Sequence, residues 1–135
     1  MKEEVNKPEH YNKSFVEAID IIGLVVDNDA FCMGNFLKYI IRAPYKGSFK
    51  KDIKKAHWYL QSILDNISLK DFSNFEKSIV IKYLKQLEKS TIEEKKCAEM
   101  LGRIMLYKVE INIPDLEEKF LRIFGDEIYE QSDLL

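Results

Sequence analysis

The sequence predicts an all-α protein, a compact bundle of about five to six helices. Three observations carry that expectation. Apolar residues recur at the 3.6-residue period along most of the chain. The periodic runs are joined by short turns that begin with capping residues. Only 5 glycines and 3 prolines occur in 135 residues, too few for a turn-rich β fold.

Residues 1–13 read as an extended lead-in, with Pro8 biasing its predecessor away from helix. Ser14 is a candidate cap for a first helix, whose Phe15, Ala18, Ile19, Ile22 and Val26 share one face. Asn28 or Asp29 caps a second, which runs to about Ala43 and stops at Pro44. Its apolar face is Met33, Phe36, Leu37, Ile40 and Ile41. Ser48 opens a third, expected to reach Asn66, with Phe49, Ile53, Ala56, Leu60, Ile63, Leu64 and Ile67 as its stripe. A fourth is expected over about Asn74–Lys89. Thr91 and Glu94 form a capping box for a fifth, to about Glu110. Pro114 suits the first turn of a sixth, which Gly125 is expected to end. Residues 109–113 alternate like a strand but show no obvious partner. The expected organisation is one globular unit, residues 1–68 carrying a helical extension of residues 69–135.

Composition narrows the function classes. At 46% hydrophobic and 12% aromatic the chain has the material for a core. A net charge of −2 excludes a globally basic nucleic-acid binder but not a local basic patch. Cys32 and Cys97 form no CxxC pair, and with two histidines they fall short of the four ligands of a structural zinc site. No metal site is expected; Glu17 and Asp20 make an ExxD pair of the kind magnesium-dependent helical pyrophosphohydrolases use, but no clean second motif accompanies it. The start of the chain is polar, unlike a signal peptide, and no run approaches about 18 apolar residues. A reduced, cytoplasmic protein with no membrane partner is the expectation.

Charge is concentrated. Between Lys38 and Lys55, seven cations (Lys38, Arg42, Lys46, Lys50, Lys51, Lys54, Lys55) face one carboxylate, Asp52, a local +6 in a chain of −2. On the second helix Asn35, Lys38, Tyr39 and Arg42 cluster opposite the apolar face. Lys38 and Arg42 repel each other at i,i+4 unless an anion sits between them. On the third helix Trp58 falls with Lys51, Lys54 and Lys55, off the apolar stripe. Cations for phosphate and a ring for a base are what a nucleotide uses; the alternative is a solvated face with Trp58 packed elsewhere. The loop at Pro44–Gly47 and the start of the third helix, at Ser48, complete the expected anion site. His10 is a candidate acid–base group, whereas His57 lies at the edge of the apolar stripe and reads as structural. No P-loop glycine frame is present.

Several blocks then stand in order: Pro8-Glu9-His10-Tyr11, Glu17-Ala18-Ile19-Asp20, Gly34-Asn35 through Lys38-Tyr39-Ile40 to Arg42, Lys46-Gly47, and Asp52 through Lys55-Ala56-His57-Trp58-Tyr59-Leu60. Over about residues 6–64 the chain resembles the SaV-like family of tailed phages, a domain of unknown function that includes the nucleotide kinase of T-odd coliphages. The resemblance implies a phage protein acting in the infected host cell, with a link to nucleotides. It implies that His10, Tyr11, Glu17, Asp20, Asn35, Lys38, Tyr39, Arg42, Lys46, Asp52, Lys55 and Trp58 lie in family blocks; residues 69–135 fall outside it.

The leading expectation is a nucleotide-handling protein, a kinase-like phosphotransferase without a P-loop. Asn35, Lys38, Tyr39, Arg42, Lys46, Lys51, Lys55 and Trp58 would hold the ligand, and His10 or Asp20 would orient the acceptor. A nucleotide or another phosphorylated small molecule is the expected partner; whether a cofactor takes part is left open. The alternatives are a counter-defence protein that sequesters a nucleotide signal, or one that inhibits a host defence nuclease. The wide apolar arc from Cys97 to Val109 predicts a homo-oligomer, the other way to cover such an arc being a central place in the bundle.

Overall fold

In the computed structural model the structure describes residues 16–68, 70, 71, 73–88, 90–105 and 110–129, and residues 16–20, 87 and 88 by their backbone alone. Six α-helices are present among them, as the periodicity predicts, together with a two-stranded ribbon. The helices are α1 (Val16–Val25), α2 (Asn28–Arg42), α3 (Phe49–Gln61), α4 (Asn74–Glu88), α5 (Ile92–Met105) and α6 (Ile113–Ile128). A single 3₁₀ turn, Ala43–Tyr45, joins α2 to α3.

The capping logic holds at α3 and α5, while the expected Ser14 cap lies outside the described residues. The cap of α2 is Asp27, upstream of the expected Asn28 or Asp29, and its carboxylate accepts from the N–H of Asp29 and Ala30. Ser48 caps α3 by accepting from Lys51 N–H. Thr91 and Glu94 exchange the bonds of a capping box at α5, and Ser73 with Glu76 does the same at α4. Asn112 caps α6, with Pro114 in its first turn.

α2 and α3 form an antiparallel hairpin clamped at both ends. At the open end the Asp29 carboxylate accepts from Leu64 N–H at 3.0 Å and Asp65 N–H at 3.1 Å. That bond explains why α3 ends at Gln61 rather than near Asn66. Donors that would have continued the helix are taken by a carboxylate on α2, and Ser62 Oγ donates back to the Trp58 carbonyl. At the closed end the turn is anchored to the N-terminus of α5 by Tyr45, whose hydroxyl donates to Glu94 Oε2 at 2.6 Å. Gly47 leaves the turn at φ 89°, a left-handed value that a side chain would strain.

The buried face of α3 keeps Ile53, Ala56 and Leu60 but is wider than expected, adding Asp52, His57 and Tyr59. Leu64, expected in the core, is 83% exposed, while Tyr59, absent from the expected stripe, is 1% exposed. The freed chain supplies the partner that the alternating segment lacked. Ile67–Ser68 pairs antiparallel with Glu110–Ile111, so the expectation of helix up to Glu110 is corrected. Asn66 fastens this corner, accepting from Ile113 N–H and donating to Glu110. α6 continues past the expected stop at Gly125 to Ile128, although Phe124 (φ −111°, ψ 17°) interrupts its helical course.

One hydrophobic cluster joins both halves. Phe36 and Ile40 of α2 and Ile53 and Leu60 of α3 meet Met100 of α5 and Leu116, Phe120 and Phe124 of α6. α5 packs against α4, α6 and α2, which buries its Cys97, Ala98, Met100, Leu101 and Ile104; residues 106–109 of the expected arc lie outside the described residues. No helix among the described residues is long and apolar enough to cross a membrane.

Candidate functional site

The site is built on the α2–α3 hairpin around Tyr39. Its ring stacks on Tyr59 of α3, centroids 5.8 Å apart and planes 17° apart. Tyr59 is buried, so Tyr39 rests on a fixed platform. Three cations surround the Tyr39 ring: Lys38 Nζ at 4.9 Å, Arg42 Cζ at 5.5 Å and Lys55 Nζ at 5.7 Å from its centre. Lys38 and Arg42 come from α2, Lys55 from α3, so helix pairing and not sequence proximity brings the third charge in. The ring's negative face offsets part of the repulsion among them. No ion pair among the described residues involves these three side chains.

Arg42 is half-buried, and its Nε is buried with no hydrogen-bond partner. A donor left in that state costs about 1–3 kcal/mol. The same end of the hairpin holds Asp52, in the first turn of α3, 6% exposed and with Oδ2 buried and unpartnered. Asp52 was legible in the sequence as the lone carboxylate of a basic stretch and as the first residue of a block that carries the family resemblance. Its burial was not, because the period places it at the edge of the stripe.

The remaining expected site residues divide. Asn35 is half-buried, and its Nδ2 donates to the Phe31 carbonyl at 3.0 Å, which commits the amide to its own helix. Lys46 and Lys51 are exposed, one after the 3₁₀ turn and one in the first turn of α3. Trp58 is half-buried, packs on the core and meets Tyr59 edge-on at 5.1 Å. It is therefore engaged with the hairpin's own packing rather than standing clear as a stacking plate. His10 lies outside the described residues. Asp20 belongs to α1, but its side chain lies outside them too.

His57 is structural, as expected. It is 6% exposed and stacks on Phe120 at 5.2 Å with planes 7° apart. Its Nε2 lies 3.6 Å from Glu117 Oε2. Burial pushes its pKa below the usual histidine value, and Glu117 offsets part of that. The cysteines are inert for a similar reason: burial pushes Cys32 up to about 11 and Cys97 up to about 12, nearby carboxylates adding to it. Among the described residues no three His, Cys, Asp or Glu side chains gather to hold a metal.

Residues 5–61 match a family described as a protein of unknown function (DUF3310). The match ends on the last residue of α3, so every side chain of the Tyr39 cluster lies inside it. The Gene 1.7 protein of Enterobacteria phage T3 is 40% identical over 72 residues, which make up 48% of this chain and 44% of that protein. This chain therefore spans less than half the length of that relative. The similarity points to a bacteriophage protein. No solved structure matches the chain significantly.

Proposed function

We propose that the protein binds the phosphate of a nucleotide on the α2–α3 hairpin, and that it acts there as a nucleotide phosphotransferase without a P-loop. The observation that supports this is the set Lys38, Arg42 and Lys55 gathered round one tyrosine ring, with no ion pair to any of them among the described residues. Like charges held this close in a folded protein are destabilising until an anion enters. Arginine supplies a planar fork for phosphate oxygens and the two lysines supply point charges. Phosphoryl transfer asks for positioning and positive charge more than covalent chemistry, which is the chemistry this cluster offers. The resemblance to a phage family that includes a nucleotide kinase points the same way.

The test is calorimetric titration with nucleoside mono-, di- and triphosphates, paired with chromatographic detection of phosphate transfer. Charge-assisted hydrogen bonds contribute roughly 1.5–3 kcal/mol each. Arg42→Ala should therefore weaken nucleotide binding about tenfold or more while the protein stays folded. Tight binding with no transfer would leave a nucleotide-sequestering protein. Arg42→Ala with undiminished binding would remove the hairpin from consideration and favour a protein inhibitor of a host nuclease.

A further inference from the structure

Buried polar atoms in folded proteins are nearly always satisfied, and the exceptions ask for a reason. Asp52 is such an exception. The residue is 6% exposed, its Oδ2 is buried with no hydrogen-bond partner, and no ion pair among the described residues involves it. Seven cations lie within its stretch of sequence, yet the fold has not closed one on it. Arg42 Nε, a buried donor, is equally unpartnered. The two orphans are of opposite kinds, an acceptor and a donor, and they have not been used to satisfy each other.

Their placement along the hairpin is fixed by the Tyr39–Tyr59 stack and by helical rise. At about 1.5 Å per residue, Arg42 lies about 4.5 Å, Lys55 about 6 Å and Asp52 about 10.5 Å from that stack, all toward the closed end. Asp52, Lys55 and Tyr59 share one face of α3, at offsets of three and seven residues. Lys38 lies about 1.5 Å to the other side of the stack, so a ligand phosphate among the three cations sits about 7.5 Å short of the carboxylate along the hairpin. A carboxylate does not hold phosphate; it accepts from N–H and O–H.

We propose that Asp52 is the recognition residue of this site, its buried carboxylate accepting a hydrogen bond from an N–H or O–H of the nucleoside whose phosphate Lys38, Arg42 and Lys55 hold. This rests on the nucleotide reading above and adds what that reading lacks, a group that tells a nucleotide from bare phosphate. A site built around a buried acceptor rejects ligands without the matching donor, because the acceptor is then desolvated for nothing. The donor is a base N–H or a sugar hydroxyl, and the two are separable by ligand choice.

The experiment is calorimetric titration of wild type, Asp52→Asn and Asp52→Leu with inorganic phosphate and with ribo- and 2′-deoxynucleoside monophosphates of all four bases, alongside thermal melts. Wild type should prefer at least one nucleoside monophosphate over phosphate by about tenfold or more. That preference should shrink in Asp52→Asn, whose amide oxygen still accepts, and vanish in Asp52→Leu. Phosphate binding itself should hold or strengthen, since a negative charge has gone. A preference that follows the 2′-hydroxyl places the donor on the sugar; one that follows the base places it there. Melting of Asp52→Leu at or above wild type is the expected sign of a carboxylate kept for binding. An unchanged preference in both variants, or an Asp52→Asn melt far below wild type with the preference kept, overturns the proposal. Failure of wild type to bind phosphate or any nucleotide sinks the cation site itself, a result distinct from either.

Discussion

The α2–α3 hairpin and the α5–α6 region handle their charges in opposite ways. In α5–α6 they are paired. Lys96 donates to both oxygens of Glu127 at 3.0 Å, with both side chains largely buried. Lys119 meets Asp115 at 2.9 Å, and Arg103 and Arg122 face Glu99 and Glu118 one turn away. In the hairpin, Lys38, Arg42 and Lys55 lean on a tyrosine ring instead, and Asp52 and Arg42 keep unpartnered buried atoms. Both regions share one core and one chain. Pairing marks charges that serve the fold; its absence, in side chains brought together by two helices, marks charges that serve something else. Asn28 Oδ1, His57 Nε2 and the Tyr83 hydroxyl are also buried with no hydrogen-bond partner, and none of them is part of the cluster of three cations round Tyr39.

The largest expected effect removes what the two regions share. Phe120 contacts Phe36 of α2, His57 of α3 and Phe124 of its own helix. Phe120→Ala should cost about 3–5 kcal/mol in urea denaturation, and a loss below about 1 kcal/mol would mean that the regions do not depend on a common core. Next comes the comparison itself. Glu127→Ala strands Lys96 in a largely buried setting and should cost about 1–3 kcal/mol. Arg42→Met, which removes an unpartnered buried donor, should leave stability unchanged or raise it. Equal losses from the two substitutions would erase the distinction drawn here.

A smaller effect is pH-dependent. Burial holds the folded-state pKa of His57 below its unfolded value of 6.5, so the unfolded state binds its proton first as pH falls. The stabilising contribution is complete above about pH 6.5 and is lost progressively below it. The melting temperature should therefore fall on acidification through pH 6, and more steeply than in His57→Gln. Parallel curves for the two would show that His57 does not titrate as its burial requires. Smallest is the reactivity of the thiols. With Cys32 and Cys97 buried and their pKa values pushed up to about 11 and about 12, an aromatic disulfide reagent at pH 8 should label neither until denaturant is added. Prompt labelling of one thiol in the native protein would show that its side of the core opens.

Local signals were legible in the sequence by themselves. Periodicity determined the six helices and most of their inward faces. Ser48, the Thr91–Glu94 box and Pro114 determined three helix starts, because capping is chemistry between residues at most three apart. The basic stretch was legible as composition, and Lys38 with Arg42 as a pair one turn apart. What only the tertiary structure decided involved partners distant in the chain. Asp29 captured the donors of Leu64 and Asp65 and ended α3 early. Ile67–Ser68 became the strand that Glu110–Ile111 needed. Tyr59 turned inward beneath Tyr39, that stack brought Lys55 to Lys38 and Arg42, and Asp52 lies buried about one turn further along α3. A helical pattern tells which residues share a face. Only packing tells which of those faces lose their water, and a charge becomes a site when water is gone and no protein partner has replaced it.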